Sequence, residues 1–169
     1  MKAAGVILTV TLALVLQTTL ARYAIRSSSA VDLVLVVVVY VALTSGAATG
    51  LLSGTFAGLA QDALSSQVIG IGGLSKTLVG FLAGLIGTQF IVAQPLPRFV
   101  VFFGATVLNA AVFMGLYVLL DLRQFGSPIA SVAGQALGNA LVGVVVFQFV
   151  EVLPGALERR RSARTRRRR

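Results

Sequence analysis

The chain contains no cysteine, no histidine and no tryptophan, and only five acidic side chains in 169 residues. Without cysteine there are no disulfides and no thiolate metal sites, and the redox compartment cannot be read. Without histidine the commonest general base, metal ligand and pH switch is missing. Charge of either sign is scarce, at 11% of residues, so a soluble domain of this length would lack a polar surface. What is present instead is apolar: 57% of the chain, against about 45–50% in ordinary soluble domains. The composition is that of an integral membrane protein. Its basicity is local, because two lysines face twelve arginines and eight of those arginines lie in the last eleven residues.

A membrane-spanning helix needs roughly 20 apolar residues. Residues 3–21 meet that length and end at Arg22 and Arg26. Residues 30–64 form an almost continuous apolar run with Thr44-Ser45-Gly46 at its middle. Further runs occupy 74–93, 99–120 and 129–153, the third of the five ending at "QPLPR", where two prolines break a helix. The expected fold is all-α, a polytopic bundle of six transmembrane helices in which 30–44 and 46–64 make a tight hairpin. A five-span alternative treats 30–52 as one helix and 53–73 as a re-entrant or outer loop. The positive-inside rule places the arginine tail in the cytoplasm under either count and does not separate them. Glycine spacing favours six, since Gly46, Gly50, Gly54 and Gly58 recur every four residues and Asp62 continues the series. At 3.6 residues per turn these positions share one slowly drifting helix face, which suits close helix packing. Gly80 and Gly84, and Gly134 and Gly138, are expected to pack in the same way. Lys2 and the apolar segment after it resemble a signal peptide, but no A-x-A cleavage site follows.

The segment 58–76, "GLAQDALSSQVIGIGGLSK", places Asp62 between two apolar runs. Such a carboxylate either marks a helix end at the membrane interface or is buried and needs a partner. Asp32 and Asp121 are expected near the same outer interface, as residues that mark helix ends. In the buried reading Asp62 is held by Lys76, by Arg26 or by loop backbone N–H groups. It then orders an outer loop, with Lys76 and Asp32, that forms part of a partner surface. Gln17, Asn109, Gln135, Asn139 and Gln148 lie within apolar runs and are expected to hydrogen-bond between helices. For Asn109, Gln135 and Asn139 a polar pocket is the alternative. No carboxylate pair, Ser-His pairing or phosphate-cradling loop is visible, so the expectation is a non-enzymatic protein without cofactor or metal. The chain divides into a bundle, 1–155, and a basic tail, 156–169, expected to be unstructured. Arg159, Arg160, Arg161, Arg164, Arg166, Arg167, Arg168 and Arg169 read as a topology anchor on anionic lipid. Nucleic-acid binding is the second reading of the tail.

Several stretches together resemble a known family. "LVLQTTLAR" ends the first helix, "VDLVLVVVVYVAL" begins the second, and "GAATGLLSGTFAGLAQDALS" then "IGIGGLSKTLVGFLAGLIG" follow. This order is similar to MreD, a small membrane protein of the bacterial rod-shape (elongation) system, over residues 8–90. Val31 stands where that family often has proline before the aspartate that opens the second helix. The resemblance implies a six-helix fold like that of the substrate-binding (S) components of energy-coupling-factor transporters. It implies a non-enzymatic scaffold in the bacterial inner membrane that binds MreC. Directly or through MreC, it would also bind the RodA glycosyltransferase and its class B penicillin-binding transpeptidase. A vitamin- or small-molecule-binding S component is the alternative, although such sites favour converging aromatic side chains. This chain has three tyrosines, two of them (Tyr40 and Tyr117) inside spans.

Overall fold

A computed structural model describes residues 3–23, 31–65, 68–90, 94–122 and 129–166. The regular structure among these residues is helical throughout: α1 (Ala3–Tyr23), α2 (Leu33–Ser45), α3 (Ala47–Leu64), α4 (Ile71–Gln89), α5 (Pro95–Leu119) and α6 (Ile129–Arg166). The protein is an all-α bundle of six helices. By length and apolarity α4, α5 and the Ile129–Glu151 part of α6 are each able to cross a membrane, while α2 and the Ala4–Leu20 stretch of α1 are shorter. Large apolar side chains such as Leu8, Leu12, Leu96, Leu119, Leu141 and Phe149 are exposed on α1, α5 and α6. An outward apolar surface of this kind suits lipid.

α2 lies at the centre. Valine and leucine run around its whole circumference, and Val34, Leu35, Val36, Val38, Val39, Val41, Ala42 and Leu43 are all buried. A helix that is apolar on every side is an interior helix. One flank packs with Val79 and Ala83 of α4, Phe102 and Ala105 of α5, and Ala140 and Phe147 of α6. The other meets Val6, Val10, Ala13 and Leu14 of α1 and Ala57 of α3.

Gly46 is the single residue between α2 and α3 and has φ +87°, a conformation that suits residues without a Cβ. Its N–H still donates to the Ala42 carbonyl, while its own carbonyl accepts from Gly50, so the chain reverses without leaving these groups unpaired. Gly46 is thus a turn residue: a Cβ on it would make only ordinary contact with the Thr88 methyl, while its own carbonyl carbon sits against Gly84 just before the close-packed face of α3. That face begins at Gly50. A Cβ on Gly50, Gly54 or Gly58 would overlap the carbonyl oxygen of Gly80, Lys76 or Gly72 respectively. Gly80 is in reciprocal contact with the Gly50 carbonyl, and Gly84 meets the Ala47 backbone. Two antiparallel helices therefore touch backbone to backbone along most of their length. Thr55 and Thr77 add a hydroxyl–hydroxyl bond of 2.8 Å across the seam.

Four sequence expectations change. α5 begins at Pro95, so the prolines of "QPLPR" open a helix rather than separate two; proline at the first helical position gives up only an N–H that has no partner there. α4 starts at Ile71, three residues before the apolar run was expected to begin. Gly134 packs against nothing, with no atom within 4 Å of a Cβ placed on it. The inward face of α6 instead carries Ala136, Asn139, Ala140 and Phe147, with Gly143 against the Phe102 ring; Gly134 lies off that stripe. The backbone of α6 also continues helically through Pro154 and Gly155 as far as Arg166.

These contacts separate two glycines that look alike in sequence. Gly54→Ala should lower thermal stability in detergent by about 1–3 kcal/mol, the usual cost of overpacking against atoms that cannot yield. Gly134→Ala should leave the melting temperature unchanged or raise it slightly.

Candidate functional site

The α2 N-terminus is where most of the buried polar groups meet. α2 has 13 residues, about 20 Å at 1.5 Å per residue, against roughly 30 Å of hydrocarbon in a bilayer. Its first N–H groups lack intrahelical acceptors, and in the interior they must find others. Three of the N–H groups at this end find side-chain acceptors, and the Val36 N–H returns to the Asp32 carbonyl. The Asp32 N–H donates to Asn139 Oδ1 at 2.7 Å, the Leu33 N–H to Gln17 Oε1 at 2.9 Å, and the Leu35 N–H to Asp32 Oδ1 at 3.0 Å. Gln17 Nε2 in turn donates to the Val31 carbonyl. Asn139 Nδ2 donates to Thr106 Oγ1, whose hydroxyl donates to the Phe102 carbonyl. α1, α2, α5 and α6 are tied together at this one helix end.

The second oxygen of Asp32 takes the charge. Lys76 Nζ lies 2.9 Å from Asp32 Oδ2, and the two side chains are only 6% and 10% exposed. The structure thus pairs Lys76 with Asp32 and gives Asp62 a different environment. Asp62 Oδ2 accepts from the Gly70 N–H at 2.9 Å and the Gly73 N–H at 3.1 Å. Gly70 is the N-cap position of α4 and has no capping side chain of its own. Asp62, reaching from the end of α3, supplies the cap that Gly70 lacks. Its carboxylate faces the unfavourable C-terminal pole of α3, and the N-terminal N–H groups of α4 offset that. The glycines nearby have specific reasons. Gly70 has φ +110°, and a Cβ on Gly72 would overlap Asp62 Oδ1. Asp62 is buried, as its second reading has it, and Asp32, expected at a helix end near the interface, is buried as well. Arg26 lies outside the described residues.

Next to these groups is a cavity of about 310 Å³, lined by α1, α3, α4, α5, α6 and the cap residue of α2. Asp32, Asp62 and Lys76 line it, as do Gln17 of α1, Gln61 of α3, Asn109 of α5 and Gln135 of α6. Phe113 and Met114 form its apolar side. Two of the three residues expected at a polar pocket, Asn109 and Gln135, are therefore on its wall. Asn139 instead serves the α2 N-terminus. Among the described residues, buried Gln61 Oε1 and Asn109 Oδ1 have no hydrogen-bond partner.

The opposite end has its own ion pair, which the sequence reading missed. Arg98 makes two bonds to Glu151, Nη1–Oε2 at 3.0 Å and Nη2–Oε1 at 2.7 Å. The Arg98 guanidinium also lies 3.9 Å above the Phe147 ring, which meets Tyr40 edge-on at 5.0 Å. Its signal was a lone arginine and a lone glutamate, each beside an apolar run. Of the tail, Arg167, Arg168 and Arg169 lie outside the described residues, and only the backbone is described from Arg159 to Arg166.

The family profile described as "rod shape-determining protein MreD" matches residues 2–154. The chain belongs to the MreD family. That match extends well past the stretch 8–90 that carried the resemblance, taking in α5 and α6. No curated protein and no solved structure matches significantly. In this MreD-family chain, buried charges and caps tie the helices together at one end of the bundle.

Removing one partner of a buried ion pair strands the other charge, at about 3–5 kcal/mol. Lys76→Met should therefore destabilise by that order. Asp32→Asn/Lys76→Met should be milder than Lys76→Met alone, because asparagine still caps a helix. A thermal melt of the three proteins checks the order. At Asp62 the asparagine variant keeps an acceptor for Gly70 and Gly73, so Asp62→Asn should melt above Asp62→Ala by about 1 kcal/mol.

Proposed function

We propose that this chain is a non-enzymatic membrane subunit of the bacterial cell-elongation complex. In this reading it binds MreC and, through MreC, the RodA glycosyltransferase and the class B penicillin-binding transpeptidase. The family match over 2–154 carries the reading. The geometry supports a scaffold rather than a moving part: α3 and α4 are interlocked along glycine contacts, and ion pairs tie down both ends of the bundle. Asp32, Asp62 and Lys76 are buried, so they serve a partner by shaping the α3–α4 end and not by touching it.

Six passes put the α1 start and the α6 end on the same side of the bilayer. The arginine-rich end of the chain supports a cytoplasmic side there, with the Asp62 end outside in this reading. Residues 1–155 form the bundle in this reading, and the arginines from Arg159 onward hold the anionic inner leaflet.

In a rod-shaped host depleted of its own copy, the wild-type chain should restore rod shape and co-purify MreC in mild detergent. Asp62→Asn should do both, whereas Asp62→Leu should lose both while still reaching the membrane. Wild-type protein that restores shape without retaining MreC would contradict the partner assignment. Reporter fusions at Lys2 and Arg169 should both report cytoplasm, and an external signal at Lys2 would overturn the topology.

A further inference from the structure

The 310 Å³ cavity is at the lower end of the size range of small-ligand sites. Its hydrogen-bonding character is one-sided. Asn109 is only 8% exposed, and its Oδ1, like Gln61 Oε1, is a buried acceptor that no described group satisfies. Both residues line the cavity, so a small turn of either amide would let a ligand there offer the donor that the chain does not supply. The charge points the same way. Asp32 and Lys76 cancel as a pair, which leaves the wall with the negative charge of Asp62. An anionic group would meet two carboxylates and one cation that is already paired. A neutral polyol would satisfy the acceptors and leave the charge as it is. A primary ammonium brings three donors and a positive charge together, and the Phe113 ring on the same wall suits a cation as well.

We infer that this cavity is a binding site for a primary ammonium group, with Gln61 Oε1, Asn109 Oδ1 and the Asp62 carboxylate as its acceptors. The ammonium is carried either by an ethanolamine lipid headgroup or by a small soluble amine. The inference is independent of the rod-shape role, since it concerns what fills the bundle and not what docks on it.

The test uses the full chain in phosphatidylcholine nanodiscs, with a matched fraction of lipid replaced by phosphatidylethanolamine or phosphatidylglycerol. Free ethanolamine and choline are titrated separately in detergent, and melting temperature is the readout. Phosphatidylethanolamine should raise the melting temperature by a few degrees over phosphatidylcholine, whose headgroup has no N–H donor, and phosphatidylglycerol should not. If free ethanolamine gives a saturable rise and choline none, the amine comes from solution. If only the lipid acts, it is a headgroup. Gln61→Leu and Asn109→Leu should each abolish the rise. Asn109→Asp, which keeps an acceptor and adds charge, should preserve or enlarge it, and it decides the matter if the leucine variants do not fold. Three outcomes overturn the inference: equal melting in all lipids and with ethanolamine, an equal effect of phosphatidylglycerol, or a rise that survives both leucine variants. Water alone would then occupy the cavity.

Discussion

A short helix that is apolar all round and enclosed by its neighbours is the constraint from which the rest of the structure follows. That helix is α2, and its N-terminus opens inside the bundle. In hydrocarbon those N–H groups would each cost several kcal/mol if unpaired. The chain answers with side chains from α1 (Gln17), α6 (Asn139) and the cap residue Asp32. Because the acceptors come from separate helices, satisfying one helix end fixes the positions of several others.

The glycine seam and the ion pair belong to the same solution. Lys76 takes part in both: its carbonyl lies against Gly54, and its ammonium reaches Asp32. A bulkier residue at 54 would push α4 outward and draw the lysine away from the carboxylate. Asp62 completes the arrangement by capping α4 from the end of α3. Packing and electrostatics here are therefore coupled, and changes to one should appear in the other. In the proposed scaffold role, such coupling would hold the outward surface of α3 and α4 in a fixed shape.

Much of this was legible in the sequence where a period or a local break carried it. The four-residue glycine register and the break at Gly46 together define α2, α3 and their antiparallel course. What was not legible depends on which helices become neighbours. Asp32 and Lys76 meet because two successive hairpins lay α4 parallel to α2, and no local pattern encodes that. Gly134 was misread because spacing gives a face but not its direction; the buried α6 residues Ala136, Asn139 and Ala140 lie on another side. Pro95 was read as a break because proline stops a helix from within, whereas at the first position it starts one. Arg98 and Glu151 are 53 residues apart, and their pairing emerges only once α5 and α6 fold antiparallel.

The central claim is that borrowed side chains satisfy the α2 N-terminus. Amide hydrogen exchange over residues 31–36 in nanodiscs tests it most directly, comparing wild type with Gln17→Leu and Asn139→Leu. The account predicts slow exchange at Asp32 and Leu33 in the wild type. Asn139→Leu should speed Asp32, and Gln17→Leu should speed Leu33, each by on the order of tenfold to a hundredfold, matching about 1–3 kcal/mol for an unpaired group. Exchange in the Ala42–Ser45 turn of α2 should change little. Equally slow exchange at Asp32 and Leu33 in all three proteins would contradict it.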